Sequence, residues 1–583
     1  MKRGAKPRTN GHAGNHSSSQ HNHNAKGHSV SRSQSSALSR SVRVAVISIF
    51  VFIILAVGTL HVHLLQMEES YVDQSSNTLT GAARGQPSNK LQPKRRIGSA
   101  TTQNELGLIP GRGAGSARGH VACDTEVSPL VSYWNDPRSD KDVEFQSPFL
   151  TNPNSQSTST RYLSFEPDCG GWNNIRMEFE IMVVLAAATG RTLILPPEFP
   201  VYLLQKDKQS KHRGLQDFFQ YGGTSGNNGG FDNVVDVITM RDFFHREIIE
   251  KKAYALPLDE HNRTKVLNSI QQCNYRAKNP KSCIYLFDHM ANIADFVPEW
   301  QGEENCLIMD DVNWFKDSWF KDSLGLDVQN ETQDQNILNF CDGRTPVYYN
   351  RHIHDAPLIH FRSHLKDTRL LVHFYAFLYF TNPVIGNHYK RLVRDRVRYP
   401  DAIFCAAGKV VKALNDEFGS YSSMHIRRGD FQWPKMRISA EEWLENTQHI
   451  FEDGEVIYIS TDETDMSFFE PLKSRYQIKF LSDFKELAGL DQLDPNFVGM
   501  IDVVVASRGR EFVGTYFSSF SAFIGRLRGY HGMSGMKMHY GHLKHMNETH
   551  AWVYPHASYS AREFPLGWVA IDGDTEPTEK DFF

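Results

Sequence analysis

From Val44 to Leu65 the chain runs for twenty-two residues without one charged side chain. At ~1.5 Å per residue a helix of that length crosses a ~30 Å hydrocarbon layer. This run predicts a transmembrane signal anchor over 44–65 and divides the chain into parts that must be read separately. A cleaved signal peptide is the alternative, but the long polar stretch ahead of the run and the run's own length argue against it. Residues 1–43 carry eight basic residues, no acidic ones, and much Ser, Asn, His and Gly. Such a composition buries no core and predicts a disordered cytoplasmic tail. The first acidic residue, Glu68, follows the run, so the charge asymmetry directs the C-terminal body into the lumen of the secretory pathway.

Two further features agree with a luminal body. Sequons begin at Asn262, Asn330 and Asn547, and all seven cysteines (123, 169, 273, 283, 306, 341 and 405) lie beyond the anchor, where disulfides form. Cys273 and Cys283 could close a short loop, but the pairing stays open, and the odd count leaves one thiol over. Subtracting the +8 of the tail from the whole-chain charge of −4 leaves −12 on the remainder. A body with that balance has no general attraction for nucleic acid.

Residues 66–120 are Ser-, Thr-, Gly-, Gln- and Arg-rich and predict a flexible stem. The remainder is long enough for two large lobes, expected at 121–385 and 386–583. In the first, a tight loop at Cys169–Asn174 precedes an apolar helical pattern from Ile175 to Thr189, closed by Gly190, and then a buried strand at Thr192–Leu195. The stretch from about 205 to 350 is less regular. Its Gly222–Gly230 segment reads as a surface loop, and Asp310-Asp311 as an exposed turn or cap rather than a metal site. The second lobe repeats the alternation: a helix at Ala402–Phe418, strands at Ser422–Ile426 and Val456–Ser460, a helix at Phe497–Ser507, a strand at Glu511–Val513, and a helix beginning near Ser518-Ser519.

In open α/β sheets ligands bind beyond the C-terminal strand ends, where helix N-termini receive anions. Three segments sit at such places. His425-Ile426-Arg427-Arg428-Gly429-Asp430 sets two guanidiniums beside a carboxylate, a pattern suited to a diphosphate. Ser460–Asp462 ends a strand, and Ser518-Ser519 starts a helix. Each alone could be an ion pair, a turn or a cap; their convergence on one lobe favours a phosphate site. His539, His542, His545 and His550 read as a solvated segment rather than a metal site.

Three segments together resemble the GDP-fucose O-fucosyltransferase family. Gly170-Gly171-Trp172-Asn173-Asn174-Ile175-Arg176, with Arg191–Pro197 downstream, is similar to its glycine loop, helix and strand. Met424–Phe431 is similar to the His-x-Arg-Arg-x-Asp signature of the wider fucosyltransferase superfamily. Phe512–Gly529, with Ser518, Ser519 and Phe520, completes the set in the family's order. The resemblance implies an α/β GT-B fold of two Rossmann-like lobes and an inverting transferase using GDP-fucose as donor, with no permanent cofactor and no metal. It implies a protein or glycan hydroxyl as acceptor and residence in the Golgi or endoplasmic reticulum. By motif position, Arg427 contacts the β-phosphate and Asn173 the phosphates or fucose. Ser518, Ser519 and Phe520 border the diphosphate, Asp502 reads guanine, and His425 sits near the nucleoside. Gly170, Gly171 and Asn174 shape the first-lobe side, while Arg428 and Asp430 flank Arg427.

The general base is not carried over, because Gly170 stands where some members have Glu. Glu178 and Glu180 are expected on a solvated helix face, which leaves Asp168 as the candidate. Two rivals remain at this level: a transferase of another nucleotide deoxysugar, such as UDP-rhamnose, and a non-catalytic luminal relative that binds glycans or proteins.

Overall fold

The computed structural model describes residues 121–573, apart from 135–141, 143, 151–159, 169, 202–211, 223–228, 258, 273–279, 299–303, 313, 315–334, 363–376, 534–536, 549–567, 569 and 570. The tail, anchor and stem, the sequon at Asn330 and the side chains of Cys169, Cys273 and Cys283 lie outside it. No described helix is long and apolar enough to cross a membrane.

Three parallel sheets organise the described residues. The first contains β1 (Tyr162–Phe165), β2 (Thr192–Leu195), β3 (Val237–Thr239) and β6 (Leu358–Phe361), in the order β3-β2-β1-β6. The second contains β4 (Asn305–Met309), β5 (Thr345–Tyr348) and β7 (Leu378–Phe380), in the order β5-β4-β7. The third contains β8 (Ser422–Ile426), β9 (Val456–Thr461), β10 (Gln477–Lys479), β11 (Phe512–Gly514) and β12 (Met538–Tyr540), in the order β10-β9-β8-β11-β12. Every pairing in these sheets is parallel. β8 and β9 are buried along almost their whole length, as sheets covered on both faces require.

Helix α1 (Trp172–Thr189) joins β1 to β2 and ends at Gly190, whose φ of 66° is the left-handed cap for which glycine is suited. The helix begins three residues earlier than the apolar pattern suggested. Gly171 caps it in an extended conformation, and the Trp172 ring packs on Phe218 at 4.3 Å. Asn173 and Asn174 therefore belong to the first helical turn and not to the loop. α2 (Pro383–Arg396) and α3 (Asp401–Phe418) precede the third sheet, and α4 (Val498–Ser507) and α5 (Ser519–Tyr530) flank β11. A continuous core runs through Phe179, Tyr399, Phe404, Val504 and Phe523.

Several sequence expectations are corrected. The irregular middle stretch holds two strands of a parallel sheet, β4 and β5. Glu178 and Glu180 are 0% and 1% exposed, so neither lies on a solvated face. Asp310 does make a turn, its carboxylate accepting the Val312 N–H at 3.1 Å, but it is buried. The histidine-rich segment is not simply solvated. His539 lies on edge strand β12, and His545 is buried with its ring stacked on Tyr516 at 3.9 Å. Among the described residues no group of three or more His, Cys, Asp or Glu could hold a metal. Disulfides join Cys123 to Cys405 and Cys306 to Cys341.

Candidate active site

The third sheet reverses strand order between β8 and β11, the place beyond whose C-terminal strand ends open α/β sheets bind ligands. Arg427 follows β8 at that point. Its main-chain N–H donates to Thr515 Oγ1 (3.0 Å), and the same hydroxyl donates to the His425 carbonyl at 2.9 Å, lacing the two strand ends together. The guanidinium is held from two sides. Nη1 pairs with Asp462 at the end of β9, and Nη2 donates to Asp430 Oδ1. Asp462 also accepts the Arg428 N–H at 2.7 Å through its other oxygen. Sequence reasoning put Asp462 among the strand-end candidates but gave it no role. Its register opposite the Arg-Arg run is the signal that only strand pairing reveals. Arg428 is turned aside: it donates to Glu463 at 2.6 Å and lies over the Phe468 ring at 3.9 Å.

Helix α5 closes the other side. Its N-cap residue Ser518 is buried and makes no side-chain cap bond, so its hydroxyl satisfies none of the first-turn N–H groups there. Phe517, immediately before it, has φ 61°, an uncommon conformation for a residue with a side chain. Its ring stacks on Trp433 at 5.1 Å. Ser519 begins the helix, and Phe520 stacks over the buried His425 ring at 4.4 Å. His425 Nδ1 is 2.7 Å from Ser521 Oγ. Burial, with a smaller contribution from the Arg427 charge, pushes His425 down to about 3, so it is neutral throughout the physiological range.

Asp502 projects from α4 beside β9. Its Oδ1 accepts a 2.5 Å hydrogen bond from Tyr458, and Ser460 Oγ lies 3.5 Å from its main-chain carbonyl. Burial pushes the carboxyl up to about 7, against the opposing effect of these hydroxyls. Gly499, one turn earlier, faces Phe520: a Cβ there would stand 3.7 Å from Phe520 Cε2.

The glycine loop meets this edge through paired helices. Met177 of α1 packs on Ala522 of α5, and the Arg176 guanidinium lies 3.6 Å from the Phe523 ring centroid. Glu180 then bridges Arg176 (2.7 Å) and Arg526 (2.6 Å), all three at most 2% exposed. The second and third turns of α1 thus pack against the first two turns of α5. Asn173 Oδ1 accepts from Arg176 Nε at 3.3 Å. Asp168 Oδ1 accepts the Gly170 N–H at 2.6 Å, and the Asp168 N–H donates to Glu178 at 2.5 Å. These bonds hold Asp168 and Gly170 as one turn leading into Gly171 and α1.

A guanidinium braced at a strand end and a helix start beside it, at the switch point of a parallel sheet, suit a phosphate-bearing ligand such as a nucleotide. The sequence model of the GDP-fucose protein O-fucosyltransferase family matches residues 162–531. The chain belongs to that family, and it is a GDP-fucose-dependent transferase with an α/β, GT-B-like fold of parallel sheets. No curated protein matches it. Among solved structures, POFUT1 in complex with GDP-fucose is 13% identical over 66% of this chain and 98% of its own, with a TM-score of 0.31. The fucosyltransferase NodZ from Bradyrhizobium is 12% identical over 64% of this chain and 94% of its own, with a TM-score of 0.29.

Proposed function

We propose that the donor diphosphate lies across the C-terminal ends of β8, β9 and β11, and that fucose passes from it with inversion to a protein or glycan hydroxyl. The observation that carries this reading is Arg427, set between Asp430 and Asp462 opposite the uncapped start of α5. As the sugar–phosphate bond breaks, negative charge grows on the β-phosphate. A guanidinium already fixed in place and a helix N-terminus stabilise that charge most where it develops. Asn173, Asn174 and the Gly170-Gly171 loop border the sugar from the α1 side. Ser518, Ser519 and Phe520 border the diphosphate, Asp502 takes the guanine edge, and His425 supports Phe520 as a neutral ring. Asp168 is 3% exposed and engaged by Gly170, which suits shaping the loop. The acceptor hydroxyl attacks from the face opposite the diphosphate, its proton taken by a base or by the leaving phosphate.

The body is assigned to lobes at 121–385 and 386–583, held in the lumen of the Golgi or endoplasmic reticulum by the 44–65 anchor, with the stem between. The test of the reaction is GDP-fucose turnover by the wild type and Arg427→Ala, with a set of folded secretory domains and glycans as acceptors. Arg427-dependent donor turnover with a 6-deoxyhexose mass increment on an acceptor supports it. Turnover of UDP-rhamnose in its place, or of no nucleotide sugar, overturns it.

A further inference from the structure

The function proposed above uses Asp502 to read the guanine but leaves open what makes a half-buried carboxylate fit to do so. A guanine edge offers two donors, N1–H and the N2 amine. A carboxylate receives both only if it is ionised, because a protonated carboxyl presents an O–H toward a donor. The site works against ionisation: Asp502 sits on an apolar helix among Met500, Ile501, Val503 and Val504, all at most 2% exposed. Removing a carboxylate from water favours its neutral form.

We propose that Tyr458 is a positioning residue for base recognition, holding Asp502 as an oriented anion through its hydroxyl. The argument rests on three observations. Tyr458 lies on β9, four residues before Asp462, so the strand that braces Arg427 also braces Asp502. Its ring is 0% exposed, and its hydroxyl donates to Asp502 Oδ1, a bond that favours the charged form of its acceptor. Its other ring contact is Tyr421 at 6.4 Å, so the ring is fixed by packing and aims the hydroxyl one way. An ionised carboxylate has about four lone-pair positions. One tyrosine donor therefore leaves it able to take both guanine donors.

The charged and titratable surroundings are few. Ser460, from the same strand, adds a hydroxyl beside Asp502. Burial, then the Asp502 charge and hydrogen bond, then Tyr421 and Asp483 raise Tyr458 and keep it a neutral donor. His425 on the adjacent β8 is neutral. Among α5 residues, Arg526 is engaged by Glu180 and Arg528 by the carbonyls of Gly509 and Lys537. With burial setting Asp502 near 7, guanine binding draws on its ionised form. Affinity then falls about tenfold per pH unit below that point. A hydrogen bond to a charged group is strong enough that its loss moves the break upward by about one to two pH units.

The experiment is calorimetric titration of the full chain with GDP from pH 5.5 to 8.5, for wild type, Tyr458→Phe and Asp502→Asn, with inorganic pyrophosphate as a probe of the phosphate side alone. Wild type is expected to lose GDP affinity below about pH 7. Tyr458→Phe should show the break one to two units higher, about five- to fiftyfold weaker binding at pH 7, and convergence toward wild type at pH 8.5. Asp502→Asn should be weak and flat across the range. Pyrophosphate binding should be equal in all three proteins at each pH. If Tyr458→Phe is too unstable to titrate, Tyr458→Met, which also lacks the hydroxyl, is titrated in its place with the same expected shift. A wild-type GDP profile without a break, or a Tyr458→Phe profile superimposable on wild type, overturns the inference while leaving the donor reading intact. No GDP binding at any pH by a folded wild type overturns both.

Discussion

Gly429→Ala tests the bracing of Arg427 without removing a charge. A Cβ on Gly429 would lie deep inside van der Waals contact with Asp462 Oδ2, 3.2 Å from Asp462 Cγ and 3.6 Å from Arg427 Nη1. Asp462 has a short side chain and is engaged at both oxygens, by Arg427 Nη1 and by the Arg428 N–H. It cannot swing aside and keep both. Restoring ordinary contact moves the carboxylate by about 1 Å, and the guanidinium is carried with it. A misplacement of that size costs about 100-fold in rate, or about 2.7 kcal/mol of barrier. Gly429 is exposed and its φ is not positive, so the loss of stability is confined to the displaced, partly exposed Asp462 contacts, about 1 kcal/mol or less. The assay is kcat/KM for GDP-fucose turnover, with the melting temperature measured on the same samples. Gly429→Ala combined with Asp462→Asn should be no slower than Asp462→Asn alone, since both act through one contact. A kcat/KM within threefold of wild type, or full additivity in the double variant, would refute the bracing argument.

Two other expectations concern the frame. Glu180→Gln leaves the buried Arg176 and Arg526 guanidiniums facing a neutral partner, and breaking a buried pair in this way costs about 3–5 kcal/mol; an unchanged denaturant midpoint would count against the clamp. For Asp142, burial acts to raise the carboxyl, but hydrogen bonds from His388 and Arg391 and the Arg391 charge outweigh it and hold the group well below its ordinary 3.8. A depressed folded value stabilises the protein above the unfolded value, and that contribution is lost as pH falls from about 4 downward. Wild type should therefore lose melting temperature below pH 4 more steeply than Asp142→Asn, and parallel acid profiles would contradict this.

What the sequence revealed follows from the range of the interactions concerned. The α1 pattern and its Gly190 stop, the β8 strand and the α5 start are set by local spacing, and each stands within a few residues of its expected position. The place of Arg427 at a strand end was legible because β8 is set by local spacing, and the Asp430 pairing because it is three residues away. Glu180 was not. Its partner Arg526 is 346 residues distant, and a charged side chain on a helix reads as solvated until a second helix covers it. Asp462 and Tyr458 gain meaning only from the β8–β9 register and from the α4 face beside β9. The second sheet was missed because β5 and β7 are four and three residues long, too short for alternation to stand out, and long segments separate them in sequence.

The central claim is a GDP-selective donor site built on Arg427. Its most direct test is calorimetric titration of wild type and Arg427→Ala with GDP, UDP and GDP-fucose at pH 7.5, with donor hydrolysis followed in the same samples. The account predicts GDP and GDP-fucose bound in strong preference to UDP, and hydrolysis reduced at least 100-fold in Arg427→Ala. Equal binding of GDP and UDP, or hydrolysis indifferent to Arg427, would contradict it.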